Sequence, residues 1–456
     1  MKLVSTTLVL IVWLFSSAVQ SQESQLFINA NVIDLEKQTT SLRHIEIRDG
    51  QIIKLHEQKP NLSQASVVDL NGGFVLPGFI DMHVHSWGNG SMQDNYQWVG
   101  TQGTLKASLY SGVYGVLDLF SDEDDIFDYR NQQELSHEAQ LFAAGPCITK
   151  TDGHCANFGT KTRIVDTPED ALEQVRELAE RRPDVVKLVY DSAGFIDGNR
   201  AGLDKPSMQA LITEARRLNL KTMVHVGTWQ DVKDAAEAGA TFITHTPMAP
   251  MPEDIPELLK AKEVTMVPTL AVQTEWPVAL SQSDYFDHPM LQAVTTPELL
   301  GDYEFDIDAP RFKRLKAFID KHQHKDSARH MDHAIAKLAK AEVPILIGSD
   351  AGNPIAFHGY TVHREMAQLV EAGLSNWQVL HAATLGAAKK LGVNWSITAG
   401  NQANFLVLDA SPIADIRHTE SIRYLVKQGQ ILDREVLRQE IIPGFWQTIW
   451  MYLTGW

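Results

Sequence analysis

His83 and His85 stand two residues apart in Ile80-Asp81-Met82-His83-Val84-His85. An extended strand alternates its side chains between faces, so both imidazoles project to the same side and can converge on one cation. Lys187 is more unusual, because it interrupts the apolar run Val185-Val186-Lys187-Leu188-Val189, of the kind that parallel sheets cover on both faces. An ammonium buried there is costly. Either the chain reaches a mouth and pairs with a carboxylate, or the amine is carboxylated to a carbamate, an anion able to bridge two divalent metals. His225 ends Met223-Val224-His225 and His245 ends Ile243-Thr244-His245, while Asp350 lies in Gly348-Ser349-Asp350-Ala351-Gly352. Neutral imidazoles are nitrogen ligands, and a carboxylate supplies an oxygen ligand that can also carry a proton. Each motif alone has a plainer explanation: a lone His-x-His is commonly a pair of satisfied core histidines, and an isolated Asp-Ala-Gly is more often a turn or cap. His83, His85, Lys187, His225, His245 and Asp350 together are a candidate ligand set, all but the mid-run Lys187 at or near the ends of apolar runs.

Eight such runs must position them: 78–86, 114–120, 140–148, 185–191, 221–226, 242–246, 264–270 and 343–352. Helical periodicity lies between several, at 168–181, 207–218 and 229–238, each opening near a capping residue. Alternating β and α units predict an α/β fold, and eight of them predict a (β/α)8 TIM barrel with its chemistry at the C-terminal strand ends. The stretches 25–58 and 403–435 alternate apolar and polar residues, which predicts a small β-sandwich domain formed from both chain ends. The organisation expected is a signal peptide at 1–21, the discontinuous β domain at 22–73 and 401–440, the barrel at 74–400, and an aromatic tail at 441–456. Residues 273–325 are acidic, aromatic and without strand character, as befits an elaborated barrel connection.

The chain has 456 residues and a formal charge of -17, which repels phosphate backbones, so nucleic acid is not an expected partner. Lys2, the apolar run 8–15 and the small residues 16–21 have the layout of an export signal, and the run is shorter than the roughly 20 residues of a membrane span. The expectation is an exported protein, periplasmic or secreted, with no stable membrane span after cleavage. Its partner would be a small-molecule substrate, and a homo-oligomer is compatible with the uncharged tail 445–456. Cys147 and Cys155 are either disulfide-bonded or buried free thiols.

The order His-x-His, Lys, His, His, Asp resembles the binuclear pattern of the amidohydrolase superfamily. Similarity is closest to its imidazolonepropionase-like and prolidase-like (Xaa-Pro or Xaa-Arg dipeptidase-like) members, through 76–85, Asp152-Gly153-His154, 348–352, His358-Gly359, Glu371-Ala372-Gly373-Leu374, Ala382-Ala383-Thr384 and 403–408. The resemblance implies two divalent metal ions, with zinc the expected element. His83, His85 and Asp350 would hold one, His225 and His245 the other, and N6-carboxylated Lys187 would bridge them. A hydroxide shared by the two cations would attack a polarised carbonyl, and Asp350 would carry the proton to the departing amine. His154 would contact the substrate carbonyl or carboxylate, with His358 also near substrate. One departure stands out: relatives often carry Ala-His-Ala and then an aromatic residue where this chain has Val224-His225-Val226-Gly227-Thr228-Trp229. A tyrosine contact from that loop is therefore not carried over. The function implied is metal-dependent hydrolysis of a C–N bond in an amide or dipeptide-like compound. The alternatives are opening of a lactam or lactone ring, or deamination, and a non-enzymatic metal-binding barrel, which the complete set of six ligands disfavours.

Overall fold

The computed structural model describes residues 24–62, 65–90, 99–156, 160–192, 202–282, 284–301, 303, 316 and 325–442. The expected export signal and the tail from 443 onward lie outside them. Among the described residues, no helix is long and apolar enough to cross a membrane.

Strands from both chain regions share one eight-stranded sheet. Its order is Gln430–Leu432, Ile422–Lys427, Phe405–Leu408, Phe74–Pro77, Ser24–Asp34, Thr39–Arg48 and Gln51–His56, with Ser66–Asp69 also paired to Ser24–Asp34. The two regions meet where Phe405–Leu408 runs antiparallel to Phe74–Pro77, with Phe405 opposite Pro77 and Leu408 opposite Phe74. Phe27 and Phe405 meet edge to face at 5.6 Å within an apolar core that includes Ile45, Ile47, Val75 and Val407.

The remaining strands pair only in parallel. Phe79–Val84, Val113–Asp118 and Gln140–Ala143 form one sheet. Arg163–Ile164, Ile148–Thr149, Val186–Val189, Thr222–His225, Phe242–Thr244 and Thr265–Val267 form another, in that order. Parallel neighbours need crossovers, and helices supply them: Pro168–Glu180, Lys205–Arg217 and Trp229–Ala238 fall where the periodicity predicts them. The first and third open with capping boxes, Thr167 with Asp170 and Thr228 with Asp231. The architecture is thus α/β.

Three of the eight runs differ from expectation, each beside a proline. The run 140–148 divides into two strands around Gly145-Pro146, because proline cannot donate to a ladder. The run 264–270 stops as a strand at Val267, before Pro268, and Leu270 already begins the helix Leu270–Ser281. In 343–352, where Pro344 lacks its N–H, only isolated bridges form, Ile345 with Met266 and Ala351 with Val84. Further backbone bonds still seat this segment between two strands: Leu346 N–H donates to Met266 O at 2.9 Å and Met82 N–H to Ile347 O at 2.9 Å. The stretch after residue 273 contributes helices rather than strands among its described residues, including Pro289–Val294 and Pro297–Gly301.

A buried carboxylate joins the ends of the parallel strands Phe79–Val84 and Val113–Asp118 through Ser86, next in sequence to His85. Asp118 Oδ2 accepts from Ser86 N at 2.7 Å and Ser86 Oγ at 2.6 Å, while Oδ1 accepts from Phe120 N at 3.1 Å and Ser121 Oγ at 2.9 Å. Stranding a buried donor costs about 1–3 kcal/mol. Asp118→Ala strands several, so its unfolding free energy in urea should fall by at least about 3 kcal/mol; a loss below about 1 kcal/mol would show that the clamp does not hold these strands.

Candidate metal centre

His83 and His85 occupy and follow the end of Phe79–Val84, and Asp350 reaches them from the bridged segment 344–351. Asp350 Oδ1 lies 3.0 Å from His83 Nε2 and 2.9 Å from His85 Nε2. One ligand atom from each of the three falls within 4.8 Å of the others, a spacing that one cation can span. Gly348 makes this approach possible: a Cβ there would lie 2.9 Å from His83 Cβ and 2.3 Å from Val267 Cγ1. The backbone also links the segments, with Asp350 N–H donating to His83 O at 2.8 Å and His85 N–H to Ala351 O at 2.7 Å.

The other histidines gather on the same side. The ring of His245 is 5.2 Å from that of His83 and 4.3 Å from that of His225. Threonine hydroxyls hold two of these rings by Nδ1: Thr244 Oγ1 is 2.7 Å from His83 and Thr269 Oγ1 is 2.8 Å from His245. Both therefore present Nε2 to the centre, and the contacts fix ring orientation in the way metal-ligating histidines require. Lys187 lies within Val186–Val189, is 3% exposed, and is electrostatically coupled to Asp350, His83, His225 and His245. All six predicted ligands are brought to one buried region.

Its electrostatics suit cation binding. Burial pushes the Lys187 ammonium down to about 7, against the pull of Asp350. Burial lowers His83 to about 3 and holds His225 and His245 below the usual imidazole value, so the rings are neutral at pH 7 and their lone pairs are open to a metal. For Asp350, burial raises the carboxyl, but His83 and His85 outweigh it and hold the group well below its ordinary value. Asp81 anchors the arrangement from beneath, where Oδ1 accepts from His83 N at 3.1 Å and Ser349 N at 2.9 Å. His245, Thr269, Asp350 and Ile355 all adopt left-handed backbone, with φ of 75°, 50°, 58° and 68°. Each such residue costs on the order of 1–3 kcal/mol, and such strain concentrates at functional sites.

His154 sits half-buried with its ring 4.7 Å from His225. Cys147 and Cys155 form a disulfide, with Cα atoms 6.5 Å apart, that pins the loop carrying His154 to the strand Ile148–Thr149. His358 is buried, its Nε2 bonds to Gly88 O at 2.9 Å, and the His85 backbone also bears on the ring. His363, further along the chain, has a structural role: its nitrogens meet Thr419 Oγ1 at 2.9 Å and Ser111 O at 2.8 Å. Sequence reasoning missed Thr244, Thr269 and Asp191. The hydroxyls carry no motif of their own, and Thr244 meets His83 across 161 positions.

The fold is α/β and carries a His-His-Asp group that could hold a metal ion, and residues 74–432 match the amidohydrolase family, to which the chain belongs. Among solved structures it resembles a Xaa-Pro dipeptidase with bound methionine in the active site, with TM-score 0.71 and 22% identity over 90% of this chain and 100% of the other. It also resembles the ochratoxinase of A. niger, with TM-score 0.65 and 18% identity over 90% and 96% of the two chains. At these identities the likeness speaks for the fold alone. A dihydroorotase from Elusimicrobium minutum is 35% identical over 170 residues, 37% of this chain and 35% of the relative. The chain spans about a third or less of the length of the curated relatives it matches.

The buried histidines make acid stability a test of the site's desolvation. His83 falls to about 3 and His358 to about 4, and burial also lowers His225, His245 and His363, so the unfolded chain takes up their protons from pH 6.5 downward while the fold refuses them. Asp81, raised by burial to about 7, and Glu365, raised to about 8, act in the opposite sense, but the lowered histidines, His154 at about 3 among them, outnumber the raised carboxyls. Chelator-treated protein should therefore lose unfolding free energy steadily between pH 6.5 and 4, as read by urea denaturation. A flat or rising profile would mean that these rings are solvated.

Proposed function

We propose that this protein is an exported metal-dependent amidohydrolase that cleaves the C–N bond of an amide in a dipeptide-like small molecule, using two divalent cations at a closed barrel mouth. The observation that carries the reading is the convergence of four histidines, three of them held neutral by burial, and an anionic aspartate on a buried lysine. A lysine lowered to about 7 is partly neutral at physiological pH, the form whose lone pair can add carbon dioxide. As the carbamate, Lys187 would become an anionic bridge, which accounts for its burial. His83, His85 and Asp350 suit one cation, His225 and His245 the second, and the nitrogen-rich set suits zinc. When bound, the cations supply a hydroxide nucleophile near neutrality and polarise the substrate carbonyl.

The chain's own groups supply the rest. Asp350 Oδ1, set between two imidazole nitrogens, takes the proton released on attack and returns it to the departing amine. His154, on its disulfide-pinned loop, contacts the substrate carbonyl or carboxylate. His358 shapes the substrate side by holding the Gly88 carbonyl. The parallel strands are read as closing into the (β/α)8 barrel, with the eight-stranded sheet as its companion domain. A second reading, opening of a cyclic amide, is favoured by the dihydroorotase-like segment; dipeptide and cyclic-amide panels assayed side by side separate the two.

Metal analysis of loaded protein should give two equivalents per chain. Lys187→Ala should lose metal and at least about a hundredfold in activity, the order expected when a catalytic centre loses a ligand, and a short-chain carboxylic acid should partly restore both. Lys187→Arg keeps a cation but cannot form a carbamate; two metals and normal turnover in that variant would end the bridging role. Export has its own test, mass spectrometry of the natively produced protein. A mature start near Gln22 is expected, and an intact Met1 in a cytosolic fraction would refute it.

A further inference from the structure

Asp191 belongs to no part of the ligand pattern, yet it stands four residues beyond Lys187, two past the end of Val186–Val189. Strand alternation carries Lys187, Val189 and Asp191 on one face, toward the side where the histidines gather. Asp191 is fully buried, and its Oδ2 lies 3.9 Å from His225 Nε2. The turn after His225 is packed onto this carboxylate: a Cβ at Gly227 would lie 2.1 Å from Asp191 Oδ1. Glycine at 227 is what lets the backbone and the carboxylate approach. The carboxylate also bears electrostatically on His154.

We propose that Asp191 is the positioning residue of His225, turning Nε2 toward its carboxylate and presenting Nδ1 to the metal centre. The proposal rests on the binuclear reading above and assigns a ligand atom that the sequence pattern leaves open. His83 and His245 are held the other way round, by Nδ1 on Thr244 and Thr269, and present Nε2. A ring orients one nitrogen by what holds the other, so His225 has the opposite sense. The 3.9 Å gap exceeds a direct hydrogen bond, and a shift of about 1 Å in the side chain, or one bridging water, closes it. A carboxylate partner makes the ligand nitrogen more basic than a hydroxyl partner does, so His225 becomes the strongest imidazole donor of the second cation. This also explains why an aspartate, rather than a third threonine, stands at this ring.

Two measurements decide it. In zinc-loaded wild-type protein with 15N-labelled histidine, the His225 signals, identified by their loss in His225→Gln, should show Nε2 protonated and Nδ1 as the ligand. Nε2 as the His225 ligand would overturn the proposal without reference to any variant at Asp191. Zinc titration of metal-free protein against a competing chelator is the second. In Asp191→Asn the second equivalent should bind about 10–100-fold more weakly while the first is unchanged. Gly227→Ala should weaken the same equivalent by displacing the carboxylate, with Asp191 itself intact. Wild-type affinity for both equivalents in both variants overturns the proposal. A single equivalent in wild type would instead remove the binuclear reading, and this assignment with it.

Discussion

A lysine in the middle of a covered parallel strand is the constraint from which the rest of the centre follows. Desolvation drives the Lys187 ammonium toward neutrality, and a buried amine among imidazoles is tolerable only if the surroundings make that state useful. The same low-dielectric environment keeps His83, His225 and His245 uncharged and so available as ligands. Asp350 keeps a firm negative charge, because two ring nitrogens within 3.0 Å offset its burial. A site of neutral nitrogens and carboxylate attracts a divalent ion far more than a site already occupied by positive charge.

Holding that arrangement open costs conformational energy, and the fold distributes the cost. His245, Thr269 and Asp350 each sit in left-handed backbone. The hydrogen bonds that keep them there come from elements far away in sequence: Thr244 to His83, Thr269 to His245, and Asp81 to the backbone of Ser349. Glu365 contributes from a helix, its Oε2 accepting from Ala271 N at 2.8 Å just past the Thr269 turn. These supports are buried and rigid, which suits a site whose donors must converge to within a fraction of an ångström.

The candidate ligands were legible because the histidines and Asp350 lie at or near the ends of apolar runs, because Lys187 interrupts one, and because strand periodicity puts His83 and His85 on one face. The helices were legible from caps, as at Thr167 and Thr228. What escaped was whatever depends on three-dimensional juxtaposition or on proline's missing donor. Pro344 reduces the eighth run to isolated bridges, yet Asp350 is still delivered to His83 through backbone bonds. Threonines 244 and 269 are ordinary β-formers in the sequence, and only the fold turns their hydroxyls toward imidazoles. Asp191 is similar, since nothing local distinguishes it from a loop aspartate until Gly227 is seen against it.

The Cys147–Cys155 pair connects the chemistry of the centre to the compartment proposed for it. The bridge closes a loop whose only titratable ring is His154, with His225 within 4.7 Å, so the oxidised state limits how far the substrate-side histidine can move. Pinning such a loop reduces the entropy lost when a substrate is bound, and catalysis depends steeply on placement at this scale. Thiols held reduced in a cytosol could not supply that restraint. An oxidising compartment would, and the charged, apolar and small-residue layout of residues 2–21 supports delivery to one. Loop geometry beside the candidate ligands and the proposed export thus support each other: one comes from a half-buried histidine, the other from the sequence pattern of residues 2–21.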